Sequence, residues 1–185
     1  MSAAKVRDAL VLGIRALGVA ALAAALSAVA VQPVAAQALP RVRSHSARIV
    51  DAIARGTGAS PTFRRLVETI DATDGLVFVD EGRCGGGVRA CLLPLVTLAG
   101  PSRLLRILVN LRKAPGCETF EMIGHELQHA IEVLSHAGIR SDVQVYHFFH
   151  RVGRTSADRF ETDAAMQVGI AIGNEACRAT RLFGR

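Results

Sequence analysis

The chain has 185 residues, half of them hydrophobic and 21% charged, with a formal net charge of +6. So much apolar surface excludes disorder as the dominant state, and the length suits one ordinary domain with an appendage. The apolar residues are unevenly spread, 27 of them within the first 38 positions, so the rest has ordinary globular usage and a protein of many membrane spans is not expected.

Residues 1–38 read as an export leader. Lys5, Arg7 and Arg15 give a basic start, and residues 16–31 are uncharged, rich in Ala, Leu and Val, and followed by small residues. Val34-Ala35-Ala36 and Ala36-Gln37-Ala38 both offer small-x-small geometry, so cleavage is expected after Ala36 or Ala38, leaving 39–185 as a single domain. The alternative is an uncleaved anchor through residues 10–31, because about 20 apolar residues span a bilayer. Either way the domain is expected outside the cytoplasm, periplasmic or extracellular, free or membrane-anchored.

Losing three basic residues and one acidic one with the leader leaves a net charge of +4. The remaining basic residues (Arg41, Arg43, Arg64, Arg65, Arg103, Arg106, Arg112, Lys113) are dispersed. They read as solvated surface, and no nucleic-acid partner is expected. All four cysteines lie after the leader, and an even count in an exported chain favours disulfides. The short Cys84 to Cys91 spacing suggests that pair, which leaves Cys117 with Cys177; a cysteine-ligated zinc site is disfavoured because no C-x-x-C occurs.

Ser44 to Ala54 reads as a short helix stopped by Gly56-Thr57-Gly58. Ser60 before Pro61 predicts a helix over 61–71, with Phe63, Leu66, Val67 and Ile70 on one face. Then the period changes. Leu76 to Asp80, Ala90 to Leu98 and Leu104 to Leu111, separated by the Gly82 to Gly87 turn and Gly100-Pro101, read as three antiparallel strands. In the third, Leu105, Ile107, Val109 and Leu111 form the buried face. After Pro115-Gly116 a helix is predicted over Glu118 to Ala137, with Phe120, Ile123, Leu127, Ala130, Ile131 and Leu134 apolar and Gly138 at its end. Thr155 with Asp158 resembles a capping box for a last helix over 156–180. The fold class is therefore α+β, a short sheet of about three antiparallel strands packed on helices.

The long helix carries His125-Glu126-Leu127-Gln128-His129, which fits H-E-x-x-H. Residues four apart lie one helical turn on, so both imidazoles project from one face and can share one tetrahedral ion. Glu126 is turned by about 100° from His125, which suits a general base better than a ligand. A zinc site needs a third protein ligand and an open position. The extended metzincin pattern fails, because it requires Gly and His where this chain has Glu132 and Ser135.

Downstream, Phe160-Glu161-Thr162-Asp163-Ala164-Ala165 offers Glu161 on the last helix. From about residue 103 to 175 the chain resembles gluzincin-type zinc metallopeptidases, a zincin-like fold in which a downstream glutamate completes the metal site. The resemblance implies His125, His129 and Glu161 as zinc ligands and Glu126 as general base. Where the family often has an Asp orienting the first His, this chain has Ala165, so Asp163, Glu132 or a backbone carbonyl is left as the acceptor. Tyr146-His147-Phe148-Phe149-His150 lies between the two helices. Tyr146, His147 or His150 is a candidate donor to the oxyanion, and either His an alternative to Glu161 on the metal, beside the plainer reading of an aromatic patch anchoring a loop.

The expected activity is thus that of an exported zinc peptidase acting on a peptide or protein substrate, which adds to the edge of the 104–111 strand. About 147 residues leave little chain for a specificity domain, which favours the alternative of a non-catalytic, zinc-stabilised scaffold at the cell envelope. A third reading is a plain disulfide-bonded protein with structural histidines.

Overall fold

The computed structural model describes residues 39–113, 116–156 and 159–183. The leader, its cleavage sites and the anchor reading of 10–31 lie outside these residues, as does Asp158.

The first helix, α1 (Ala47–Ala59), begins at Ser46, whose hydroxyl accepts from the Ile49 amide. It runs on through Gly56-Thr57-Gly58, where the sequence predicts a break. Gly56 is buried flat against the Phe63 ring, 3.2 Å from where a β-carbon would sit, so this glycine serves close packing. Ser60 ends α1 and caps α2 (Pro61–Asp71), accepting from the Phe63 amide at 3.0 Å with Pro61 in the first turn. Phe63, Leu66 and Ile70 are buried as their spacing predicts, with Val67 packed half-buried beside them.

The sheet is mixed rather than a short antiparallel one. It contains β1 (Val42–Arg43), β2 (Gly75–Glu81), β3 (Ala90–Leu92), β4 (Thr97–Ala99) and β5 (Ser102–Val109), in the order β1-β2-β5-β3, with β4 also on β5. β1 pairs parallel to β2 and β2 parallel to β5, while β3 and β4 pair antiparallel to β5. The expected meander fails because the chain leaving β2 lays β3 and β4 along the far side of β5. A turn at Gly100, with φ of +60°, then feeds β5 into the gap beside β2. Ala90 to Leu98 is broken into two strands around Pro94, which has no amide to donate to the ladder. In β5, Leu105, Ile107 and Val109 are buried in alternation as expected.

Arg103 corrects the reading of dispersed surface charge, because it is 1% exposed. Its guanidinium donates to the Asp74 carboxylate and to the carbonyls of Val133, Leu134, His136 and Ile139. These carbonyls belong to the end of α3 (Glu118–Leu134) and the loop after it. The helix therefore stops at Leu134, short of Ala137, with its last acceptors held by a cation from the sheet.

The Tyr146 to His150 stretch is helical, within α4 (Asp142–Val152), and buries Val145, Phe148 and Phe149 at helical spacing. A hairpin of β6 (Arg154–Ser156) and β7 (Arg159–Glu161) follows, where the last helix was expected to begin. That helix, α5 (Asp163–Phe183), starts at Thr162, whose hydroxyl accepts from the Ala165 amide at 3.1 Å. The described residues thus hold five helices in an α+β arrangement. α3 packs between the sheet and α5, with Ile123, Leu127, Ala130 and Ile172 fully buried. Both disulfides form as the spacing suggested, Cys84–Cys91 and Cys117–Cys177. Among the described residues no helix is long and apolar enough to cross a membrane.

Candidate metal centre

His125 and His129 point the same way from α3, and the end of β7 brings Glu161 to them. One ligand atom from each lies within 4.8 Å of the others. Glu161 Oε1 is 3.2 Å from His125 Nε2 and 3.5 Å from His129 Nε2. Bonds of about 2.0–2.1 Å in a tetrahedron put ligand atoms about 3.3 Å apart, so the spacing fits a zinc-sized ion. Two neutral imidazoles and one carboxylate also match the donor preference of zinc. Glu161 thus sits on a strand end rather than on the last helix, one residue before the Thr162 cap.

The contacts behind these three groups are complete. Glu132, one turn beyond His129, faces its Nδ1 at 3.0 Å and accepts from the Thr162 hydroxyl at 2.7 Å. His125 hydrogen-bonds the backbone of Ala165, so a main-chain group stands where the gluzincin pattern has an Asp side chain. Asp163 points elsewhere and pairs with Arg154. No buried side-chain nitrogen or oxygen among the described residues lacks a partner. Of the three acceptors expected for the first His, the backbone is the one that serves it, while Glu132 serves His129, a role its i+3 helical spacing could have shown.

The electrostatics divide the histidines. Burial lowers the pKa of His125, and the charge of His129 lowers it further. Burial also acts to lower His129, but hydrogen bonds to Glu132 and Glu161 outweigh it and raise the group to about 9. Burial acts to raise Glu161, yet the hydrogen bond from His129 wins and holds it low. Such a preformed negative pocket around two imidazoles suits a cation.

Glu126 does not join the triad. It is 7% exposed, and its carboxylate accepts from the Leu92 amide at 2.6 Å. Burial raises its pKa to about 7. Leu92 belongs to β3; its neighbour Leu93 donates to Arg106 of β5, and Arg89 accepts from Asn110 just past β5, so the Leu92 N–H is on the outer edge of the sheet. Two cavities, of about 300 and 540 Å³, are each lined by His125, Glu126 and Glu161. The site opens into both.

Neither cavity reaches Tyr146, His147 or His150. Tyr146 is half exposed, with its ring on Phe160. His147 and His150 line a different cavity with His136 and Phe148. What this segment does bring to the site is Phe149, whose ring meets His129 edge-on at 5.3 Å.

No family model, curated protein or solved structure matches this chain.

Proposed function

We propose that the chain is an exported zinc-dependent peptidase of the gluzincin kind. The observation that carries this reading is a buried carboxylate, Glu126, beside a three-ligand cluster of zinc spacing, both facing the same cleft. A scaffold has no use for a buried carboxylate that a backbone amide positions beside a metal site and that lines the open cleft.

His125, His129 and Glu161 would hold the ion. Zinc bound there supplies a Lewis acid that polarises the scissile carbonyl and makes water a better nucleophile at neutral pH. Glu126, raised to about 7, takes the proton as the water oxygen bonds to the carbonyl carbon. It returns that proton to the amine nitrogen as the C–N bond breaks, and the water's second proton leaves with the products as a carboxylate and an ammonium group. The Leu92 amide fixes the orientation of Glu126 for both transfers.

The substrate strand assigned to β5 needs correction. β5 is flanked by β2 on one side and by β3 and β4 on the other, so it has no edge to offer. The outer edge of β3 borders the site, and a peptide laid along it passes the ligands. The two disulfides fit an oxidising compartment and support export.

The test is the zinc content of the purified protein together with a peptide screen of the parent and Glu126→Gln. One bound zinc in each and cleavage by the parent alone are expected. The reading fails if no zinc binds or if Glu126→Gln is as fast as the parent. Zinc bound without turnover of any peptide points to the scaffold.

A further inference from the structure

Arg48, Arg55, Arg89, Arg103 and Arg154 each face a carboxylate. Arg83 and Arg112 face none, and among the described residues neither guanidinium has a hydrogen-bond or ion-pair partner. The two nevertheless line one cavity of about 420 Å³ with Cys84, Gly87, Val88 and Asn110, and no described carboxylate borders it. The sheet fixes its position. Arg83 follows Gly82, whose amide donates to the Val109 carbonyl at 3.0 Å, and the Asn110 amide donates to the Arg89 carbonyl at 2.8 Å. Asn110 Oδ1 accepts from the Arg112 amide at 3.2 Å, which leaves the side-chain NH2 as a further donor. The cavity therefore sits where β2 and β5 end and β3 is about to begin. Val88 lines both this cavity and the two at the metal site.

We infer that this cavity is an anion site, separate from the metal centre, that takes an acidic side chain of a peptide lying along the outer edge of β3. The inference rests on the β3 track of the peptidase reading and adds a remote contact to it. Two guanidiniums on one recess repel each other, and a carboxylate between them is the counter-charge that relieves this. The same pair repels Lys and Arg and offers an apolar residue nothing. A peptide strand advances about 3.3 Å per residue, and Val88 lies four residues before Leu92, whose amide holds Glu126. The favoured acidic residue thus stands about four positions from the scissile bond, beyond the groups that touch the reacting atoms. Arg89, nearer along this track, is already neutralised by Glu118 at 2.9 Å. A recess of this size admits one side chain, so a peptide fits it better than the flat surface of an anionic membrane does.

The test measures binding by fluorescence anisotropy to the full-length zinc-loaded chain carrying Glu126→Gln, so that nothing is cleaved. The probes are a labelled peptide of alternating Val and Glu and its counterparts with Gln or Lys in place of Glu. The Glu peptide is expected to bind about tenfold more tightly than the Gln peptide, and the Lys peptide more weakly than either. That advantage should shrink as salt is raised. Adding Arg83→Ala and Arg112→Ala, both at exposed positions, should remove it while leaving the affinity for the Gln peptide, the zinc content and the Tm as they were. Equal affinity for the Glu and Gln peptides, an advantage that survives the double substitution, or no binding of either peptide overturns the inference. So does binding of phosphatidylglycerol vesicles, without the Glu peptide, that the double substitution abolishes. A Glu peptide held as expected by a chain whose zinc-loaded parent turns over no peptide defeats the peptidase reading alone and leaves the anion site in place.

Discussion

Glu132 is the residue whose replacement most directly tests how the metal centre is held. Its carboxylate faces His129 Nδ1 at 3.0 Å with one oxygen and receives the Thr162 hydroxyl at 2.7 Å with the other. It thus links a ligand on α3 to the residue following a ligand on β7. Groups in this position orient the imidazole and raise its basicity, and losing them commonly weakens metal affinity about 10- to 100-fold. Glu132→Gln keeps one oxygen that can accept from His129 but loses the charge, so zinc should bind about tenfold more weakly, or about 1.4 kcal/mol. Glu132→Ala leaves both His129 and Thr162, which are 4% and 7% exposed, without this partner. Its loss should approach a hundredfold, with a lower Tm for the metal-free protein as well.

The pH dependence has a definite sign. In the metal-free chain His129 is raised to about 9 by the two carboxylates, against burial, so below that pH zinc has to displace a proton. Removing Glu132 lowers this pKa and relaxes the competition. The deficit of the variants should therefore narrow as pH falls and be widest near pH 9. Competition against a chromophoric chelator, with Tm of the metal-free forms as a control for folding, measures both effects. Parent-like zinc affinity in both variants at pH 8.5 and above would refute the role of Glu132 in holding His129 for the metal.

Two further outcomes concern the frame around the site. Arg103→Met removes the guanidinium that holds Asp74 and four carbonyls at the end of α3 and in the loop after it, and should cost about 3 kcal/mol in denaturant unfolding because those acceptors lose a buried partner. Glu175 accepts from the Ser60 hydroxyl and from the amide and hydroxyl of Thr62. Burial acts to raise its pKa, but these bonds outweigh it and hold the group below its ordinary value of 4.5. Their stabilisation is present above that value and lost as pH falls through the lower folded one. Glu175→Gln should consequently flatten the acid limb of a Tm-against-pH profile, and an unchanged limb would contradict the assignment.

Helix faces were more legible in the sequence than strand directions or helix starts. The apolar spacing in α2 and α3 settles which side is buried, because a 3.6-residue period leaves one face to the core. Periodicity says nothing about direction: β5 is antiparallel to β3 and β4 as expected, but β2, expected antiparallel beside Ala90 to Leu98, pairs parallel with β5 instead. The place of β5 between β2 and β3 depends on the path of the intervening chain. Thr155 and Asp158 have the spacing of a capping box, yet Thr162 caps α5 and Thr155 lies in β6. Local chemistry permits both, and Glu161 has to stand at a strand end to reach the two histidines. Arg103 looked like any surface cation, since only the fold reveals that the carbonyls at the end of α3 converge on it.

Close approach between α3 and α5 sets how the site closes. A β-carbon on Gly124 would lie 2.2 Å from Ile172 Cδ1, and one on Gly169 would lie 3.4 Å from the β-carbon of His125. A methyl at Gly124 therefore has to move the end of the Ile172 side chain, and a larger group there presses the two helices apart. Because Thr162 is both the cap of α5 and the neighbour of Glu161, a shift of that helix moves the third ligand relative to the first two. The Cys117–Cys177 bond joins the same two helices at the start of α3 and far along α5. Helix spacing and ligand spacing are consequently one quantity here, held by two glycines and a disulfide as well as by apolar burial.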